Sequence, residues 1–439
     1  MIPRGLALIG LVMLVAPLFL LLSSRSADAL TLCSPKKDES ACIAGTMGSR
    51  EDPIEGVDVI LTKPDGTTET VTTEADGKFS FEVTDPGNYL VGVDTDTLPK
   101  GSELRPPAEP KLRGPDGALK VDNVELGKSY GATLTVRAAD FDDSTNKWDE
   151  FVQSAVSGVR LGLLLALASV GLSLIYGTTG LSNFAHAEQV TLGGMIGYGL
   201  INVMGLPLLV GGLLVVLICG FSGWFQDRVL WQPLRRRGLG LTQLMIVTIG
   251  LSLALQYSFQ FFAGADTKRV IVAQATVRHF GPVIITDRSL ASMAISAVVL
   301  GAVGFALLRT RIGRATRAVS DNPALAQASG IDTDKVIRLV WTLAMALAGL
   351  SGLLYALVVN GIKWDTGLQI LLLLFAAVTL GGLGTAFGAL LGSLVIGLIV
   401  ELSPLVIPGD FKYAAALLIL ILLLLVRPQG LLGRAQRVG

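Results

Sequence analysis

From Phe151 onward the chain is a succession of apolar runs separated by short polar joints, and this recurrence restricts the fold more than any other feature. A bilayer's hydrocarbon core, about 30 Å thick, takes about 20 apolar residues in helical form. Lipid offers backbone groups no hydrogen-bond partner, so each crossing segment must satisfy its own, as a helix does. About nine runs of this kind lie near 152–176, 185–205, 207–226, 240–262, 289–308, 336–359, 368–383, 385–403 and 412–426.

Composition agrees: 51% of the 439 residues are hydrophobic and the mean hydropathy is +0.61, values rare in a soluble domain. The net charge of zero conceals two bodies. Residues 30–150 hold 13 Lys+Arg against 24 Asp+Glu, and the remainder holds 22 against 11. The expected architecture is a polytopic α-helical membrane protein with an N-terminal extracellular β-sandwich domain: 1–29 a signal or anchor, 30–139 the β domain, 140–150 a linker, 151–439 the membrane domain.

Met1 to Ala29 has a short positive start at Arg4, an apolar run and small residues at Ala27-Asp28-Ala29, the pattern of an export signal. An uncleaved anchor helix is the other reading, and both deliver the next segment outside. Cys33 and Cys42, close together on that exported side, are candidates for a disulfide. Cys219 sits in an apolar run and reads as a packing residue. Two histidines and no CxxC give a metal site no support, and no cofactor is indicated.

Between residues 44 and 137 the pattern is short and alternating, with turns at Pro64-Asp65-Gly66, Asp76-Gly77 and Pro86-Gly87. Two-residue Asp-Gly turns between alternating strands predict hairpins, and turns at this frequency predict a small sandwich. The run Gly56-Val57-Asp58-Val59, Asp76 to Phe81 and Pro86 to Tyr89 resembles prealbumin-like domains of carboxypeptidase regulatory and bacterial surface proteins. That resemblance implies a spacer or binding module, not a catalyst.

The basic clusters Arg228/Arg235–Arg237, Arg309/Arg311/Arg314/Arg317 and Arg427/Arg434/Arg437 should face the cytoplasm. A path that starts outside and crosses nine times places all three there. It leaves residues 264–288 outside despite Lys268, Arg269, Arg278 and Arg288.

Asn183-Phe184-Ala185-His186-Ala187-Glu188 places an imidazole and a carboxylate between two apolar runs. Such groups cost a few kcal/mol in hydrocarbon and usually face a cavity or a partner helix; snorkelling from a helix end is the plainer account. The stretch from Ile175 to Glu188 resembles the hallmark segment of the branched-chain amino acid ABC transporter permease family, approximately YG-x-x-G-x-x-NFAHGE, with Ala187 where that pattern has glycine. Asn183, His186 and Glu188 are therefore substrate-pathway candidates.

The segment from Arg309 to Lys335 is the longest polar insertion in the membrane half. Asn322-Pro323 should start a short helix and Gly330 should end it. It resembles the cytoplasmic coupling loop of ABC permeases, with Ala326 and Gly330 in the matching places and Ile331 following; an ordinary basic loop is the alternative. Gly381-Gly382-Leu383-Gly384, with Gly388 and Gly392, allows close helix packing. It also resembles the family's glycine-rich break, where backbone could meet substrate, so Gly381, Gly382 and Gly384 join the pathway candidates.

Gly127-Lys128-Ser129 lacks the earlier glycine of a phosphate loop. No nucleophile–base constellation and no basic aromatic patch appear, so neither an enzyme nor a nucleic-acid partner is expected. The resemblance implies a permease subunit in a bacterial plasma membrane, driven by two ATP-binding subunits and working with a second permease and an extracellular substrate-binding protein. Branched-chain amino acids are the default substrate and urea or short amides the alternative. A surface-anchored binding or sensory protein, or a channel without ATPases, are readings of other classes.

Overall fold

Strands form in the N-terminal unit where side chains alternate between buried and open, and the partition of those strands decides the architecture. The computed structural model describes residues 33, 39–48, 54–99, 102–105, 107, 112–138, 147–271, 275–427 and 429–433. These residues belong to two compact units, one drawn from residues 25–145 and the other from 146–439. The signal or anchor read at 1–29 lies outside the described residues, as does most of the 140–150 linker.

The first unit contains β1 (Ala41–Met47), β2 (Asp58–Thr62), β3 (Thr68–Thr72), β4 (Lys78–Val83), β5 (Gly87–Val93), β6 (Ser102–Leu104), β7 (Leu119–Val124), β8 (Ser129–Leu134) and β9 (Val136–Ala138). One sheet has the order β4-β1-β8, the other β3-β2-β5-β7, and β6 pairs with β9. Ile43, Phe79 and Phe81 from the first sheet share one core with Val59, Leu61 and Val91 from the second. This is a sandwich. Cys33 and Cys42 are joined, with Cα atoms 5.9 Å apart.

The turn at Asp65-Gly66 makes the expected hairpin: Thr62 faces Thr68, and Asp65 accepts from the Thr67 N–H at 2.9 Å. The turn at Asp76-Gly77 does not. Its flanking strands lie in different sheets, because β4 pairs with β1, placing Ile43 opposite Phe81. Pairing β4 with β3 would have left the Phe79–Phe81–Val83 face on the wrong sheet, so core closure overrides the local hairpin signal.

The second unit is helical: α1 (Lys147–Thr179), α2 (His186–Gly197), α3 (Leu208–Gln226), α4 (Gln232–Arg236), α5 (Leu241–Ala263), α6 (Asp287–Arg309), α7 (Arg311–Asp321), α8 (Pro323–Ala328), α9 (Thr333–Val358), α10 (Thr366–Gly381), α11 (Ala386–Leu402) and α12 (Lys412–Val426). The first membrane helix thus begins inside the stretch read as linker. Among the described residues six helical stretches are long and apolar enough to cross a membrane, one of them α3 continued through a π turn into α4, and α10 and α12 are shorter apolar helices.

α1 is the centre. Its residues 164–175 are all buried, as expected of a helix apolar on every side. It packs on α9 and α11, running antiparallel to α9, with Gly171 against Ala344 and the Ser351 hydroxyl on the Leu164 carbonyl at 2.7 Å. Outer helices show the opposite: Leu209, Leu213, Leu217, Phe221 and Trp224 form an exposed apolar stripe along α3, a surface for lipid or another subunit.

The run expected at 185–205 forms one continuous helical stretch, His186 to Val203, but it is set apart from α1 by a non-helical segment. Gly180 ends α1 in a left-handed turn, residues 181–185 are non-helical, and α2 starts only at His186 before passing into a π turn at Tyr198–Val203. His186 Nε2 lies 2.9 Å from the Ala168 carbonyl. That carbonyl is eleven residues before the end of α1, so α2 begins deep within the helical layer, roughly 16 Å from that end.

The ends of the bundle are chemically distinct. At one end Arg236 meets Asp334 at 2.8 Å, and the end of α1 at Gly177 adjoins Ser320 of α7. This is the end the positive-inside rule assigns to the cytoplasm. At the other end a hairpin, β10 (Val277–Phe280) with β11 (Val283–Thr286), is held to the start of α1 by Gln153 bonding both the N–H and the C=O of Ile284. Asp287 pairs with Arg278 there.

Candidate functional site

The non-helical segment before α2 delivers the predicted polar residues to one place. Asn183 accepts from the Ala185 N–H at 3.1 Å through Oδ1, and its backbone carbonyl accepts from the His186 N–H at 3.2 Å. Asn183, His186 and Glu188 are all fully buried. Snorkelling from a helix end is thereby ruled out as a description of this conformation. Gln189 and Thr191 are buried beside them, with Gln189 Oε1 accepting from Ser222 at 3.3 Å and Thr191 Oγ1 accepting from the Gly367 N–H at 2.8 Å.

The opposing wall is α5. Its Thr248 hydroxyl accepts from the Phe184 N–H at 3.2 Å, and its Ser252 hydroxyl donates to Glu188 Oε1 at 3.3 Å. Gln256 is buried one turn further on. Residues four apart share a helix face, so Thr248, Ser252 and Gln256 form a polar stripe about 12 Å long facing the start of α2. Sequence reading passed over this stripe, although its spacing inside the run Leu241–Ala263 was a visible signal.

Several buried polar atoms here have no partner among the described residues: Asn183 Nδ2, His186 Nδ1, Glu188 Oε2, Gln189 Nε2 and Asp365 Oδ1. Native interiors leave few such groups. A second group of such atoms, on Gln226, Asp227, Trp231, Arg338 and Trp341, lies between α3, α4 and α9.

Ala187, where the resembled pattern has glycine, does not prevent close backbone approach. A Cβ on Gly367 would lie 2.7 Å from the Ala187 carbonyl oxygen, so the small residue is supplied by α10.

Gly381, Gly382 and Gly384 are not brought to this seam. Gly384 adjoins Gly177 at the far end of α1, and a Cβ on Gly382 would come within 2.8 Å of the Gly433 Cα. Leu431 and Leu432 donate to the Leu380 and Gly381 carbonyls, capping α10. Close backbone packing requires glycine at 381 and 382, and a left-handed φ of +80° favours it at 384.

The 309–335 segment folds as its residues dictate. Asn322 caps α8, accepting from the Leu325 N–H at 3.0 Å; Gly330, at φ +84°, lets the Ile331 N–H return to the Ala326 carbonyl at 3.0 Å. Ala326 is buried, whereas Leu325 is 64% exposed. Asp332 then caps α9, and its hydrogen bonds from the Lys335 ammonium and N–H hold its carboxyl below the usual range.

Beside this segment lies a second buried polar assembly. Asp227, fully buried, pairs with Arg235 at 2.7 Å and Arg338 at 3.5 Å. Gln232 bonds both Arg338 and Asp334 at 2.8 Å, and Trp231 stacks on Trp341. These contacts tie α3 and α4 to α9.

A bundle of long apolar helices around a helix that starts inside it, with a capped polar helix pair at its basic end, is the architecture of a polytopic transport protein. Residues 154–426 match the model of the branched-chain amino acid transport system permease component, and the chain belongs to that family. It is 30% identical over 300 residues to the high-affinity branched-chain amino acid transport system permease protein LivH of Escherichia coli, covering 65% of this chain and 96% of that protein. It is 29% identical over 303 residues to BraD of Pseudomonas aeruginosa, described in the same words, covering 65% and 97%. A probable LivH of Methanocaldococcus jannaschii is 31% identical over 287 residues, covering 62% and 89%. Residues 42–144 match the SdrD B-like domain.

Proposed function

We propose that this chain is the permease subunit of an ABC importer for branched-chain amino acids in a bacterial plasma membrane. It works with a second permease, two ATP-binding subunits and an extracellular substrate-binding protein. The observation that carries this reading is the family match over residues 154–426. The buried seam at Asn183, His186 and Glu188 supplies polar groups to a pathway inside the bundle, and the exposed face of α8 offers Leu325 to an ATPase subunit. Closure of the ATPases would push on α8 and, through α9, rock helices about the seam. Hydrolysis takes place in the partners. The reading is tested by purifying the complex from cells: ATPase subunits should copurify and intact cells should take up leucine at a rate that depends on this chain. A chain isolated without ATPases, in cells whose uptake is indifferent to its deletion, overturns it.

Gly330 gives a sharper test of coupling. A side chain there would meet nothing within 4 Å of this chain, so it would project toward the partner. The left-handed backbone adds about 1–2 kcal/mol of local strain. Gly330→Trp is expected to leave the membrane fold intact while ATP turnover no longer drives uptake. Wild-type coupling in that variant argues against α8 as the contact.

The β unit is assigned to the outer side, on its acidic balance and the signal-like start. Cys33 and Cys42 are joined and Cys219 is fully buried, so the native background for thiol labelling is low. Asp85→Cys should react with an impermeant maleimide in intact cells; labelling only after lysis would reverse the orientation.

A further inference from the structure

Two buried, unpartnered groups of opposite hydrogen-bonding character flank the start of α2. Asn183 Nδ2 is a donor without an acceptor, and Glu188 Oε2 is an acceptor without a donor, among the described residues. The helix start carries a partial positive charge; its N-cap residue Ala185 has no side chain to cap it, and the Asn183 carboxamide oxygen takes only the Ala185 N–H. Glu188 stands in that first turn without turning back to cap it. Its other oxygen reaches sideways to Ser252 on α5. A carboxyl group sealed from water stays ionised only beside a cation or a full set of donors. Asp227 has two arginines; Glu188 has one hydroxyl.

Resting on the import reading above, we infer that the start of α2 reads both poles of a zwitterion. The helix N-terminus and the Asn183 amide receive the carboxylate of an α-amino acid, and Glu188 receives its ammonium. A single cationic or anionic pole would satisfy only one of these groups, and a neutral amide brings no cation to hold Glu188 ionised. The Phe184 and Phe375 rings, 4.8 Å apart beside the seam, supply the apolar wall a branched aliphatic side chain needs. The polar stripe of Thr248, Ser252 and Gln256 continues from this point along α5 and gives the charged end of such a solute hydroxyl and amide partners along the way.

The test is equilibrium binding of labelled leucine to the purified membrane complex, without substrate-binding protein. Two competitors are used: 4-methylpentanoate, which lacks the ammonium, and leucinamide, which lacks the carboxylate. Glu188→Gln should raise the Kd for leucine about ten- to a hundredfold, the loss of one charge-assisted hydrogen bond. It should leave the affinity for 4-methylpentanoate unchanged, since that ligand never engages Glu188. Asn183→Ala should weaken leucine while sparing leucinamide. If Glu188→Gln does not reach the membrane, Ser252→Ala should show the same selective pattern at smaller size. An unchanged leucine Kd, or an equal loss for leucine and 4-methylpentanoate, overturns the assignment. So does a wild-type complex that drives leucine uptake in cells yet binds none. Cells that import no amino acid at all overturn the import reading itself.

Discussion

Gly352→Val should cost the membrane unit about 3 kcal/mol, enough to shift most of the protein out of its monodisperse peak on size exclusion in mild detergent. A Cβ at Gly352 would land on the Val190 carbonyl oxygen and lie 2.7 Å from its carbon, while Gly193 sits as closely against Gly349. Both contacts are backbone on backbone, so no side chain can rotate away and α2 must separate from α9. Overpacking of this kind usually costs 1–3 kcal/mol, and the rigid neighbours put this site at the upper end. The matched control is Gly301→Val on α6, where an added Cβ meets nothing within 4 Å and valine is the better helix former. Equal behaviour of the two variants would show that the α2–α9 crossing is looser than drawn.

Asp227→Ala carries the second large effect. The carboxylate is fully buried, and the side chains of Arg235 and Arg338 are 19% and 20% exposed. Removing one member of a buried ion pair leaves uncompensated charge, at about 3–5 kcal/mol. Thermal unfolding of the detergent-solubilised protein should fall accordingly. The triple replacement of Asp227, Arg235 and Arg338 by leucine should recover most of that loss, because the group's desolvation cost disappears with it. Uptake should remain impaired even in the recovered variant if the network transmits motion from α8 through α9. Full transport by a stable, uncharged variant would reduce the network to a structural anchor.

Much of this architecture was legible along the chain. The apolar runs announced the helices, because in lipid the backbone has no other way to satisfy its hydrogen bonds. Asn322, Pro323 and Gly330 announced α8, because caps and left-handed turns are local chemistry. Alternation in the N-terminal unit announced strands, since a half-buried strand must alternate. Asn183, His186 and Glu188 stood out because their burial in an apolar stretch is expensive.

Other features depended on contacts between segments far apart in sequence. Which sheet β4 joins was decided by the core facing Ile43, and the Asp76-Gly77 turn carried no trace of it. The partner of Glu188 is Ser252, sixty-four residues away, and neither residue predicts the other. The glycines at 381, 382 and 384 acquired their role from Gly177, Gly388 and the chain beyond α12. The amino-acid order by itself determined where helices, strands and caps form, because those rest on near-neighbour hydrogen bonding and solvent transfer. Only the tertiary structure decided that α2 starts deep in the bundle with its polar groups sealed against α5, because a buried charge is defined by what surrounds it.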